Sequence, residues 1–153
     1  MDGRRRVRKL VASTGRAAAR GAIGAMAMSG VRQATTSFGL VQQTPPEQLL
    51  KQTVPALFNR VPVNRRPALV ELIHWAVGAG GGAFFGLLPR RVRRRAWVGP
   101  AYGFVFWAVF EAVAAPKLGI GRNRRVLSEQ AALLVDHTLY GVVVGSAPWP
   151  NAD

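Results

Sequence analysis

Two stretches of this chain carry the same pattern, and together they restrict what it can fold into. Leu72 to Gly86 has His74 near one end and Gly78, Gly82 and Gly86 at four-residue spacing behind it. His137, Gly141 and Gly145 repeat that spacing near the other end of the chain. Residues four apart share one face of an α-helix. Small residues in such a row let a second helix approach backbone to backbone, the usual packing device of helices in lipid. A histidine followed by a glycine row in an apolar run therefore reads as a membrane-spanning helix with one polar level and one close-packed level.

The remaining composition agrees with that reading. The 153 residues suit a single domain, 1–153. The formal charge is +14, yet 49% of the residues are hydrophobic and only 18% charged. Basic residues fall in short blocks with apolar stretches between them, as in a polytopic membrane protein with basic loops. There is no cysteine, which excludes disulfides, thiol catalysis and Cys-ligated zinc. No catalytic signature and no cofactor motif is present.

Four spans follow from the pattern, at about 15–40, 68–89, 96–116 and 128–147, giving an all-α, integral-membrane four-helix bundle. Gly99 and Gly103 open the third span, with Phe104, Phe106, Trp107 and Phe110 in its middle and Glu111 near its end. Trp97 and Tyr102 suit an interfacial aromatic belt. The short Arg90–Arg95 loop makes spans two and three an antiparallel hairpin. In the proline-rich loop 41–67, Thr44-Pro45-Pro46-Glu47 has the form of a capped helix start. Leu49, Leu50, Val54, Leu57 and Phe58 would give that helix an apolar face on the bilayer surface, with Pro55 bending or ending it; an ordinary loop is the alternative. None of the four spans is a clean run of about eighteen apolar residues. The rival is a soluble helical bundle, but these segments lack the charged outer face such helices need.

The basic block Arg4–Lys9 reads as a topology-fixing flank. Its alternatives are a signal-peptide n-region, with Ala25-Met26-Ala27 as the cleavage-like site, and a nucleic-acid-binding arm without aromatics or a recognition fold to support it.

Counting about 1.5 Å per residue, Arg32, His74, Glu111, Asp136 and His137 all lie about 8–13 Å from one end of the bundle. Gly78, Gly82, Gly86, Gly99, Gly103, Gly141 and Gly145 lie toward the other. The two halves look like a tandem two-helix repeat, His74 matching His137 and the Gly24–Arg32 spacing matching Gly103–Glu111. Arg32 facing Glu111 or Asp136 would neutralise charges that are costly in hydrocarbon. Three readings of this layer stand: an electrostatic clasp that fixes helix pairing, a proton or ion relay or polar ligand pocket, and a metal site with suitable ligand types.

The arrangement resembles the YagU-like group of small bacterial inner-membrane proteins and related actinobacterial four-helix proteins. The resemblance rests on Met28-Ser29, Pro45-Pro46-Glu47, His74-x-x-x-Gly78-Ala79-Gly80-Gly81, Gly99-Pro100-Ala101-Tyr102-Gly103, Trp107, Pro116-x-Leu118-Gly119 and His137-x-x-x-Gly141. It implies an integral membrane protein without an assigned activity, with a link to acid tolerance in one branch, and brings no catalytic residue.

The expectation is thus a non-enzymatic multi-pass protein of the bacterial plasma membrane, both termini cytoplasmic by the distribution of basic residues. It would be a small proton, ion or solute transport component, or else a structural or stress-response protein. Its expected partners are the lipid bilayer, anionic headgroups at the arginine-rich loops and further copies of itself on the glycine faces. Nucleic acid ranks last.

Overall fold

The computed structural model describes residues 2–38, 50–117 and 127–146, and every regular element among them is helical. The expected helix start at Thr44–Glu47, Leu49, the basic residues Arg122, Arg124 and Arg125, and the closing Pro148-Trp149-Pro150 lie outside the described residues.

Helix α1 runs over Asp2–Ser37. It begins well before the expected span because arginine, lysine and leucine favour helix and no proline occurs until Pro45. Thirty-six residues make a rod of about 54 Å, longer than a hydrocarbon core of about 30 Å. Arg4, Arg5, Arg8 and Lys9 are exposed in the first part of the rod. Ala25, in the cleavage-like triplet, is buried about two thirds of the way along it.

A short helix α2 (Pro55–Arg60) follows, with Pro55 in its first turn. Residues 50–53 are helical too and that turn stops at Val54, so Pro55 ends one helical turn, as expected, and starts the next, where its missing N–H is not needed. Leu50 and Phe58 are buried together against Val70, and the Arg66 guanidinium lies 4.9 Å from the Phe58 ring centre. Val54 and Leu57 stay exposed, so the segment packs against the foot of the next helix by only part of its apolar face.

Helix α3 (Arg66–Leu87) carries the first glycine row. A one-turn helix α4 (Arg90–Arg93) occupies the arginine-rich connection, where Arg93 Nε donates to the Leu88 carbonyl at 2.9 Å. Helix α5 (Val98–Val109) passes through a π-helical segment, Phe110–Ala114, into α6 (Ala115–Lys117). Pro116 supplies a physical reason for the wider turn. It has no N–H for the carbonyl four residues back, and its ring would strike it. Helix α7 (Leu127–Gly145) carries the second glycine row.

The close pairs are α1 with α3 and α5 with α7; α1 also packs on α7. Both close pairs are glycine seams. A Cβ on Gly82 would stand 2.8 Å from the Gly21 Cα, and one on Gly99 would stand 2.6 Å from the Gly141 carbonyl oxygen. Gly86 abuts Ala17, Gly78 abuts Ala25, Gly103 abuts His137 and Gly141, and Gly145 abuts Gly99. Although α3 and α5 are consecutive rods, their packing is looser. They meet through side chains, Tyr102 donating to the Gly81 carbonyl at 2.7 Å and meeting Phe85 edge-on at 5.1 Å. Aromatic bulk on α5 keeps it off α3, while both glycine rows face other helices.

The seams revise the expected match between halves. Gly21 meets Gly78 and Gly82 as Gly99 meets Gly141 and Gly145, and Ala25 meets Gly78 as Gly103 meets Gly141. Ala25, and not Gly24, is therefore the counterpart of Gly103; Gly24 faces the Tyr140 ring instead. A π turn holds one residue more than the α register. The one at Phe110–Ala114 carries the register back toward the match of Arg32 with Glu111.

By length and composition, one helix among the described residues, Val63–Leu87, is long and apolar enough to cross a membrane. Val98–Val113 is apolar but shorter. Helix α1 carries its basic residues, and α7 carries Glu129 and Asp136.

Candidate functional site

The buried charged residues Arg32, Glu111 and Asp136, together with Ser29, gather toward one end of the glycine seams, while Ser13 is buried at the other. On α1, Ser29 and Arg32 are one helical turn apart and share a face, as do Glu71 and His74 on α3. Antiparallel packing brings these two faces together. Arg32 Nη2 is hydrogen-bonded and ion-paired to Glu71 Oε1, and the other carboxylate oxygen accepts from the Ser29 hydroxyl. Glu71 Oε2 also lies 3.9 Å from His74 Nδ1. Ser29 Oγ accepts from Trp75 Nε1 at 3.2 Å and from Arg32 Nη2 at 3.4 Å, with His74 Nδ1 at 3.3 Å. The Ala25 carbonyl, 3.1 Å away, is a second acceptor for the serine proton. Arg32 is thus held by the carboxylate of Glu71, whereas the sequence directs attention to Glu111 and Asp136.

Helix α7 contributes Asp136, His137 and Tyr140. His137 Nδ1 lies 2.8 Å from the Leu133 carbonyl, which can only accept, so the proton sits on Nδ1 and Nε2 is the remaining ring nitrogen. Phe106 of α5 stacks on the His137 ring at 6.1 Å. Tyr140 is buried and donates to the Gly78 carbonyl at 2.6 Å, which ties α7 to the glycine row of α3. Glu111 is buried in the π-helical segment and interacts electrostatically with His137.

These groups surround a cavity of about 290 Å³. Arg32, His74, Asp136, His137 and Tyr140 form its polar wall, and Phe106 and Phe110 part of its apolar wall. Of the five residues singled out in the sequence, four line this cavity and the fifth, Glu111, lies close by. Asp136 is 8% exposed, and its Oδ1 has no hydrogen-bond partner among the described residues. A second, wider cavity of about 780 Å³ lies at the same end of the bundle, between α1, α3 and the segment before it. Lys51, Arg66 and Glu71 are among its lining residues, and Arg32 lines both cavities. The Arg32–Glu71 pair therefore stands between an outer basin and the inner chamber.

Glu71, Ser29 as a hydrogen-bonding hub and Tyr140 are the site residues that sequence reasoning missed. The signal for Glu71 was its i, i+3 relation to His74, which places both on one helix face. Among the described residues, no group of three or more His, Asp or Glu side chains is placed to hold a metal ion. The chamber offers hydrogen-bond acceptors, one guanidinium already neutralised by a carboxylate, and aromatic faces. That set suits holding and passing a proton, or holding a small polar or charged ligand.

No protein-family model, no curated protein and no solved structure matches the chain.

Proposed function

We propose that the chain is a four-span membrane protein whose buried polar chamber handles a proton or a small solute, as a transport component. The observation that carries this is an inversion of polarity. Arg32, Glu111 and Asp136 are among the buried residues, whereas Leu72, Phe84, Phe104, Val105, Val109 and Val135 are about half exposed or more. In water both halves of that arrangement are unfavourable: apolar area of this kind is worth about 25 cal/mol per Å² when removed from water, and buried charge needs compensation. In a hydrocarbon solvent both become sensible. Ionisable residues within spanning helices face the bundle interior and mark pathways.

For a proton or a small water-soluble solute the geometry favours access from one end. The outer basin leads to the Arg32–Glu71 pair and the chamber lies behind it. Beyond the chamber, the glycine seams bring backbone against backbone. Movement of Arg32 would connect basin and chamber, and passage onward would need the seams to part. The resemblance to small four-helix bacterial inner-membrane proteins supports placing the chain in a bacterial plasma membrane, with both termini cytoplasmic. The arginines at 90, 91, 93, 94 and 95 would then meet anionic lipid headgroups.

A second reading has its own support. The Arg32, Glu71, Ser29 and Trp75 groups already satisfy one another, so the cluster also works as a clasp between α1 and α3. Proton uptake by proteoliposomes separates the two. A relay gives uptake above that of empty liposomes, reduced at least tenfold in His74→Ala. A clasp gives uptake equal to empty liposomes for both proteins, with loss of stability in Arg32→Ala.

A further inference from the structure

The chamber behind Arg32 has features that specify its occupant more narrowly than "small solute". The first is Asp136. Its side chain is buried and lines the chamber, and Oδ1 is left without a partner among the described residues. Buried polar atoms in native proteins are nearly always satisfied, and an unsatisfied one points to a missing donor or ion. The second is the wall beside it. Phe106 lies 6.1 Å from the His137 ring and 5.8 Å from the Tyr140 ring, and Phe110 lines the same space. A carboxylate among aromatic faces is the combination that attracts an organic ammonium, through direct charge and through the ring quadrupoles. Arg32 lines the same chamber and acts on Asp136 electrostatically, but its guanidinium is already ion-paired to Glu71.

The third feature is the route in. Besides the Arg32–Glu71 pair, the outer basin carries Lys51 and Arg66, which disfavour a cation approaching from water. Val77 of α3 and Val109 of α5 also line the chamber, and they are 48% and 56% exposed on the outer surface of the bundle. They belong to α3 and α5, the two helices whose packing on each other is looser. An apolar body can enter there from hydrocarbon. The volume of about 290 Å³ equals that of about ten waters at ~30 Å³ each, enough for a substituted ring but too small for a whole lipid.

We infer that the chamber binds a lipid-soluble organic cation, a quaternary or protonated amine with an apolar body, which enters between α3 and α5 and sets its ammonium against Asp136. This rests on the reading of the chain as a membrane protein with a working polar chamber, and it names the ligand class of that chamber.

Benzyltrimethylammonium and its uncharged isostere neopentylbenzene make a matched pair of probes. Each is titrated calorimetrically into the full chain in detergent, as wild type and as Asp136→Asn. The inference predicts that the wild type binds the cation and that Asp136→Asn binds it at least tenfold more weakly. The two proteins bind neopentylbenzene equally, which also shows that the variant keeps its chamber. Followed by stopped flow, association of the cation slows at least tenfold in Val77→Trp, while Lys51→Ala leaves the association rate unchanged. Cation binding that survives Asp136→Asn overturns the inference, as does binding of neither probe or of neopentylbenzene alone. Cation association that Val77→Trp does not slow overturns the lateral route. The membrane reading fails separately, if carbonate releases the chain from cell membranes.

Discussion

Arg32 of α1 and Glu71 of α3 form an ion pair with side chains only 10% and 23% exposed, and that pair stands between the outer basin and the inner chamber. Breaking one side of a buried pair leaves the other charge uncompensated, which costs about 3–5 kcal/mol, whereas replacing both partners by apolar residues is often close to neutral. Arg32→Met and Glu71→Leu should each lower the thermal unfolding midpoint in detergent, followed by circular dichroism. The double variant should recover most of the loss. A double variant no better than the worse single one would show that the two residues do not act as a pair.

The glycines divide by position. A Cβ at Gly99 would meet the Gly141 carbonyl oxygen at 2.6 Å and the Gly145 Cα at 3.0 Å, both backbone atoms, whereas a Cβ at Gly80 would meet nothing within 4 Å. Gly99→Ala should therefore force α5 and α7 apart and destabilise the bundle by about 1–3 kcal/mol, the usual range for overpacking. Gly80→Ala should be neutral or stabilising by up to about 1 kcal/mol, from helix propensity alone. Equal effects of the two substitutions would remove the seam as the explanation.

Ser29 and Trp75 should be energetically coupled. The indole N–H donates to Ser29 Oγ at 3.2 Å in the partly buried α1–α3 interface. A double-mutant cycle with Ser29→Ala and Trp75→Phe, read by thermal unfolding, should return a coupling of about 0.5–1.5 kcal/mol, the net value of one such hydrogen bond. A coupling indistinguishable from zero would place Trp75 in the interface by packing alone.

Much of the fold was legible because the signals were local. Proline and the arginine blocks mark the helix ends, and glycine at four-residue spacing marks the faces that pack. The partners of those faces were harder to read. Joining α3 to α5 by a short loop suggests that they pack tightly, but glycine rows choose other glycine or alanine rows, and α5 turns aromatic rings toward α3. The one-residue offset between the halves was also hidden, because the π turn at Phe110–Ala114 arises from backbone geometry around Pro116 and leaves no spacing pattern. The common level of Arg32, His74, Asp136 and His137 followed from helix rise alone. Glu71 escaped notice because a carboxylate four residues after Pro67 looks like an ordinary charge at the water boundary. Only the antiparallel register of α1 against α3 brings it opposite Arg32.

The account depends on the bundle having a polar interior and an outer surface turned to lipid. The chain has no cysteine, so single cysteines carrying a nitroxide label can be placed at will. Labels at Phe84, Phe104 and Val135, all exposed at the outer surface, should be relaxed by oxygen and protected from a water-soluble nickel chelate when the protein sits in a bilayer. A label at Arg5 should show the opposite pattern. Strong relaxation by the nickel chelate at Phe84, Phe104 and Val135 would mean that this surface faces water, and the account of the chain as a membrane bundle would be wrong.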